Sequence, residues 1–297
     1  MKTYLDCIPC FLRQALEMAR MSSSDPAIHE HVLREVLSWV SHMDMNVPPP
    51  VMARRIHRYL KKLTNNPDPY QEVKLQQMTL ALKLAEEFRA KIKHSPWPFG
   101  WAARLAIGAN VIDSGINVDI SETAVRHTLQ LALEEDLIGD LVELEREVQS
   151  ANEVLYLADN AGEIVFDRLL IERIKPAKVT VVVRGAPILN DATIKEAQMA
   201  GLHEIATIIS SGVDAPGILL DEASPELKTA WERANIIIAK GQGNFETLWG
   251  INRPIYFLFK VKCAVVAKHV GWPVGTFMAI KNQPKECFQS APEPASW

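Results

Sequence analysis

Apolar positions recur at helical spacing from residue 8 to about residue 150. Ile8, Phe11, Leu12, Ala15, Leu16 and Ala19 form one stripe, and Val32, Leu33, Val36, Leu37 and Val40 form a second, each the mark of an amphipathic helix. Pro48-Pro49-Pro50 interrupts the pattern ahead of a helix expected over 52–63. Asn66-Pro67-Asp68-Pro69 interrupts it again, with Asp68 expected as N-cap, Pro69 at the first helical position and Gln71 completing a capping-box-like pattern. Further helices are expected over 70–93, 101–113 and 121–149.

Past residue 150 the period changes. Short β-rich runs at 153–158, 179–184, 205–210, 235–239 and 255–260 alternate with helical segments. Such alternation predicts a parallel sheet with right-handed crossovers and helices on both faces. The expected architecture is therefore an N-terminal all-α part, residues 1–150, packed on a Rossmann-like three-layer α/β/α domain, residues 151–297. The Pro-rich tail after Gln283 is expected to be irregular.

Composition narrows the function classes. Of the 297 residues 48% are hydrophobic and 23% charged, the balance of an ordinary globular protein, and a net charge of −4 gives no basic footprint for nucleic acid. Lys2, Asp6 and Arg13 break up the apolar pieces at the N-terminus and no apolar run approaches a membrane span, so the expectation is a cytoplasmic protein without a membrane partner. Cys7-Ile8-Pro9-Cys10 opens a helix and admits three readings: a zinc site, a redox pair, or two thiols on one helix face packed inward. Zinc lacks a second ligand pair at suitable spacing, and a thioredoxin-like pair would follow a strand.

In an open α/β sheet, ligands bind beyond the carboxyl ends of the strands, where helix N-termini offer free N–H groups. Four of the five expected strands end in polar or Gly-rich segments. The first gives Asp159-Asn160-Ala161-Gly162-Glu163 and the second Arg184 to Asn190-Asp191. The third gives Ser210-Ser211-Gly212-Val213-Asp214, and the fourth Lys240-Gly241-Gln242-Gly243-Asn244; the fifth ends at Lys260, followed by Lys262. Asp159, Asn160 and Asp191 offer oxygen donors only, which suits Mg²⁺ or Mn²⁺, with Ni²⁺ or Co²⁺ as alternatives. Lys260 and the N–H groups near Gly162 and Gly243 are candidates to neutralise a phosphate, while Glu163, Arg184 and Asn244 are candidate substrate contacts. Asn110 and Asp113, in an otherwise small and apolar stretch, either reach the same cleft or serve a helix end. The competing readings are a helix cap or turn for Asp159, a cap for Asn190 or Asp191, and a solvated strand end for Lys260.

Seven segments in order resemble one known family. They are Asp-Cys-Ile-Pro-Cys at the N-terminus, Asn-Pro-Asp-Pro-Tyr at 66–70, Gly-Ala-Asn-Val-Ile-Asp at 108–113, Ala-Asp-Asn-Ala-Gly-Glu at 158–163, Asn190-Asp191, Lys-Gly-Gln-Gly-Asn at 240–244 and Phe-Lys-Val-Lys-Cys at 259–263. Together they are similar to the damage-control phosphatase (ARMT-like) family, in its stand-alone microbial type with an N-terminal CxxC. The resemblance implies a metal-dependent phosphatase acting on small phosphometabolites, sugar phosphates or damaged cofactor phosphates. It implies Asp159, Asn160 and Asp191 as metal ligands, with Lys260, Asn110 and Asp113 as further site residues. That family also contains a proposed protein-glutamate methyltransferase, so carboxyl methylation from S-adenosylmethionine is one alternative. Against it, a methyltransferase usually has a Gly-rich turn where this chain has Asp159-Asn160. A covalent aspartyl-phosphate lacks the usual DxD spacing, and a non-catalytic metabolite sensor is a further alternative.

Overall fold

The computed structural model describes residues 1–110 and 121–282. The N-terminal half is built from helices α1 (Cys7–Ser22), α2 (Pro26–Val40), α3 (Pro49–Thr64), α4 (Gln71–Lys93), α5 (Pro98–Gly108), α6 (Glu122–Glu134) and α7 (Leu141–Ser150). The expected helix over 121–149 is thus two helices. Between them Leu137–Gly139 forms a strand, β1, too short for periodicity to reveal. The start of α4 also differs from expectation. Asp68 does not cap it; its carboxylate pairs instead with the ammonium of Lys74, 2.7 Å away, a lysine buried one turn into the helix.

The C-terminal half alternates as predicted: β2 (Glu153–Leu157), α8 (Glu163–Ile171), β3 (Lys178–Val183), α9 (Ile194–Met199), β4 (Thr207–Ser210), α10 (Pro225–Arg233), β5 (Ile236–Lys240), α11 (Gly241–Leu248), β6 (Ile255–Lys260), α12 (Ala264–Val270) and β7 (Phe277–Asn282). One seven-stranded sheet runs in the order β1-β7-β6-β5-β2-β3-β4. Strands β4, β3, β2, β5 and β6 are mutually parallel, and β7 runs antiparallel to β6. The sheet is therefore mostly, rather than wholly, parallel.

Alternation along the strands divides the interior in two. Val154 and Tyr156 of β2 face a core shared with α4 to α9, whereas Leu155 and Leu157 face a second core under α10, α11 and α12. This is the three-layer α/β/α arrangement. Two observations bear on the expected division at residue 150: β1 pairs with β7, and α4 to α7 share one apolar core with β2, β3 and α8. Helices α1 to α3 have a separate apolar core of their own, built on Phe11, Met18, Val36, Ile56 and Leu60. Cys7 packs in it and burial pushes its thiol up, unlike the lowered thiol of a redox centre, whereas Cys10 is exposed. The two thiols do not both pack inward: although three apart in the first turn of α1, Cys7 is covered by the helical core and Cys10 is left exposed.

Among the described residues no helix is long and apolar enough to cross a membrane.

Candidate active site at the sheet switch point

Strand β2 lies between β3, which follows it in the chain, and β5, which comes after the excursion to β4. The chain therefore leaves β2 and β5 in opposite directions along the sheet, opening a crevice at their carboxyl ends. Asp159 and Asn160 follow β2, Arg184 and Asp191 follow β3, and Lys240 and Gly241 mark the junction of β5 and α11.

The backbone fixes the two acidic segments against each other. Asn160 and Asp191 form an antiparallel bridge, the Ala192 N–H donates to Asp159 O at 2.8 Å, and the Ala161 N–H donates to Asn190 O at 2.9 Å. Neither acid caps a helix. Gly162 occupies the N-cap of α8 without a side-chain bond, and Thr193 with Glu196 forms the capping box of α9. Both carboxylates are thus available for another task.

Arg184 ties them together. It is 1% exposed, and its Nε donates to Asp191 Oδ2 at 2.6 Å, its Nη2 to Asp159 Oδ1 at 3.1 Å and its Nη1 to Asn244 Oδ1 at 3.1 Å. The guanidinium fork suits such a shared carboxylate pair. Arg184 and Asn244, both sequence candidates for substrate contact, are placed behind the acids as supports. Asn244 also donates to Lys240 O at 2.8 Å and Ala158 O at 3.2 Å and accepts from the Ile218 N–H at 3.0 Å, binding the β5–α11 turn to the end of β2. Gly243, in the first turn of α11, lies so close to Pro216 that a Cβ would sit 1.9 Å from the Pro216 carbonyl oxygen.

Glu163 orients two amides. Its Oε2 accepts from Asn110 Nδ2 at 2.6 Å and from Asn160 Nδ2 at 3.1 Å. Asn160 Nδ2 also donates to Asp159 Oδ2 at 3.0 Å, so both acids engage the N–H₂ end of the amide. The buried Asn110 Oδ1 has no hydrogen-bond partner among the described residues. Asp113 lies outside the described residues. Glu163 is itself held by Lys240, which is fully buried and also bonds Asp167 at 2.7 Å and Ala106 O at 2.9 Å; Tyr156 donates its hydroxyl to Asp167 at 2.8 Å.

The electrostatics are crowded. Burial and the neighbouring Asp191 and Glu163 push the Asp159 carboxyl well above the usual range, against the pull of Arg184 and Lys262. Burial likewise pushes Asp167 up to about 6, while Lys240 pulls it down. Burial opposes the charge on Lys240, yet Asp167 and Glu163 outweigh it and hold the ammonium above its ordinary value. Four buried carboxylates face two buried cations, an excess of two negative charges when all are ionised.

That excess, the oxygen-only donors and the orphaned Asn110 Oδ1 fit a divalent cation. Among the described residues no three His, Cys, Asp or Glu side chains are grouped to hold a metal, so the expected donor set here is two carboxylates and an amide. Gly241 completes the wall. Its φ is +77°, and a Cβ there would fall 1.9 Å from Asp159 Oδ2, so the turn needs glycine to pass the carboxylate.

Lys260 ends β6 half-buried, with its Nζ 4.7 Å from the centroid of the Phe277 ring, and forms no hydrogen bond or ion pair with Asp159, Asn160 or Asp191. Lys262, two residues on, is exposed and its charge acts on Asp159, while its N–H donates to Gln242 Oε1 at 3.0 Å. Lys240 and Lys262 were both legible as members of strand-end motifs, but a strand-end lysine carries no signal that distinguishes a buried ion pair from a solvated head.

A residue model for the damage-control phosphatase ARMT1-like domain matches residues 3–277. The chain belongs to this family. Its relatives include a damage-control phosphatase of Pyrococcus horikoshii, 35% identical over 289 residues that cover 95% of this chain and 99% of that protein. A damage-control phosphatase of Archaeoglobus fulgidus is 35% identical, covering 92% and 96% respectively. The crystal structure of a DUF89 family protein from Pyrococcus horikoshii superposes with a TM-score of 0.88 at 34% identity, covering 95% of this chain and all of that one. In this damage-control phosphatase family member the sheet, the crevice and the buried acids therefore sit on the fold of that relative.

Glu246 of α11 gives a test of local electrostatics. Burial pushes its carboxyl from 4.5 up to about 7, against its bond from Gln242 and the charges of the N-terminus and Lys262. A raised acid contributes stability that is fully present below about pH 4.5 and lost as pH rises through about 7. Glu246→Gln should therefore be more stable than the native chain at about pH 8, with the gap closing toward about pH 5. Denaturation midpoints at the two pH values measure it; a gap independent of pH contradicts the assignment.

Proposed function

We propose that this chain is a divalent-cation-dependent phosphatase that hydrolyses phosphate monoesters of small metabolites, sugar phosphates or damaged cofactor phosphates. The observation that carries the reading is the Asp159–Arg184–Asp191 arrangement with Asn160 at the switch point, an oxygen donor set with excess negative charge. The names of the relatives support phosphatase chemistry. Asp159, Asn160 and Asp191 are the residues to hold the cation, Mg²⁺ or Mn²⁺ first and Ni²⁺ or Co²⁺ as alternatives. When bound, such a cation polarises a phosphoryl oxygen and lowers the pKa of water.

The chain's own groups supply the rest. Arg184 holds the two acids in place so that neither must reorganise when a phosphate arrives. Glu163 and Asp159 engage the N–H₂ of Asn160, so its oxygen is the amide atom that would serve as a ligand to the cation. Lys260 and Lys262 are proposed to balance the charge of the phosphoryl group at the mouth, and the N-termini of α8 and α11 to direct N–H groups toward it. The substrate is a small phosphorylated metabolite.

Phosphate release from a panel of sugar phosphates and cofactor fragments, with each cation and with chelator, tests the reading. Release should require the cation, and calorimetric titration with S-adenosylmethionine should show no saturable binding. Tight methyl-donor binding without phosphate release from any ester would reverse the reading in favour of methyl transfer. Cation and phosphoester binding without turnover would instead indicate a sensor.

A further inference from the structure

The turn that presents Asp191 is held from the helical side of the molecule. The Asp191 N–H donates to Ile188 O at 3.1 Å, closing a tight turn across Leu189 and Asn190. Leu189 has φ +46°, a left-handed conformation that a branched apolar side chain rarely adopts without support. Three contacts supply that support from α3 and α4. Lys61 Nζ donates to Pro187 O at 2.9 Å, Asn190 Nδ2 donates to Gln77 Oε1 at 3.3 Å, and the Leu189 N–H donates to His57 Nε2 at 3.3 Å. The Leu189 side chain packs on the separate core of α1 to α3.

His57 has an unusual position among these. It is fully buried, and its Nδ1 has no hydrogen-bond partner among the described residues. A ring nitrogen that accepts carries no proton, so with Nε2 accepting from Leu189 the proton of a neutral ring lies on Nδ1, where it is unsatisfied. Burial, with the charge of Lys61 adding to it, pushes the ring down to about 3 and keeps it neutral. An apolar residue would fill this space without an orphaned donor. What the imidazole provides that an apolar residue cannot is the acceptor facing Leu189.

We propose that His57 is a positioning residue for Asp191: its Nε2 holds the Leu189 N–H and so keeps the left-handed residue two places before the carboxylate in the conformation that aims Asp191 at Asn160 and Arg184. The inference rests on the reading of Asp191 as a cation ligand. Its action resembles that of the outer contacts that orient metal ligands elsewhere, whose loss weakens metal affinity by about 10- to 100-fold.

The test compares the full chain with His57→Leu and His57→Phe, which lack the acceptor, His57→Gln, which places an oxygen near the Nε2 position, and Asp191→Asn. The readouts are Mn²⁺ binding by calorimetry and hydrogen exchange of the Leu189 amide. The acceptor-less variants should bind Mn²⁺ about 10-fold or more weakly and exchange the Leu189 amide faster, with His57→Gln recovering most of both. Wild-type Mn²⁺ affinity in the acceptor-less variants, alongside weakened binding in Asp191→Asn, overturns the proposal and leaves the ligand reading standing. Equal loss in His57→Gln and the acceptor-less variants also overturns it, because packing would then be the cause. Undiminished Mn²⁺ binding in Asp191→Asn defeats the ligand reading instead. Amide exchange then decides the hold by itself: faster in the acceptor-less variants than in His57→Gln supports it, and equal rates overturn it. If one acceptor-less variant does not fold, the other carries the comparison.

Discussion

Asp191→Asn should lower cation-dependent phosphate release by at least about 100-fold while the folded state survives. The substitution keeps size and hydrogen-bonding capacity but removes one of the two negative charges that Arg184 bridges. Asp159 and the Asn244 amide still partner the guanidinium, at 3.1 Å each, so the arginine is not left alone in the interior. The loss should fall on turnover and on cation affinity together, and raising Mn²⁺ concentration should restore part of the activity. Full activity under limiting cation would show that Asp191 is a support for Arg184 and that the donors lie elsewhere. Circular dichroism and a thermal melt separate this outcome from unfolding.

The second large effect is on stability. Lys240→Met should destabilise the fold by about 3–5 kcal/mol, the usual cost of removing one partner from a buried ion pair. The methionine fits the volume, but Glu163 and Asp167 lose the ammonium that both contact, in a place with no access to water. Each carboxylate would then have to take up a proton to remain buried. Denaturant titration should show the loss, and it should shrink when Glu163→Gln and Asp167→Asn are added, since the amides need no counter-charge. A loss under about 1 kcal/mol would mean that the three groups are solvated in the native state. Activity should also fall, because Glu163 orients Asn160, but the denaturation midpoint is the decisive measurement.

Much of this architecture was legible in the chain. The five short β-rich runs and the helical stripes pointed to the parallel core of the sheet and the helical half, because strand and helix periodicities are local properties. Strands β1 and β7 were not legible, the first for its three residues and the second because nothing local distinguishes an antiparallel addition at Phe277–Asn282 from a further turn of coil. Asp68 shows the other limit. Its spacing to Gln71 reads as a cap, yet a lysine buried six residues later claims the carboxylate, and that choice is made by packing between α4 and α9, where Lys74 also approaches Glu196 at 3.3 Å.

The candidate site divides in the same way. Asp159 and Asn160 stand out because they directly follow an apolar strand, and Asp191 because it closes the polar segment beyond the next one; the structure brings these three together. What the sequence could not give is the direction of each polar side chain. Arg184, Glu163 and Asn244 read as substrate contacts and are placed with their polar groups on the acids and amides. Their partners lie 7 to 60 residues away for Arg184 alone, a relation that no local pattern encodes. Lys260 and His57 mark the remaining distance. A strand-end lysine and a histidine in a basic helix look ordinary until their surroundings are known.

The separate apolar core of α1 to α3 has a consequence for how the centre comes into being. Asp159 is fixed by the sheet, whereas the turn carrying Asp191 also leans on α3 and α4, so a donor set that lies wholly after β2 and β3 is braced by both halves of the chain. The two acids are in register only in the folded chain, where the Asn160–Asp191 bridge and Arg184 hold them together. An ion that requires both then binds only the completed molecule, and each tenfold rise in its concentration above the dissociation constant shifts the folding equilibrium by about 1.4 kcal/mol toward the native state. Cation supply would thereby set how much of the chain stays folded as well as how fast it works.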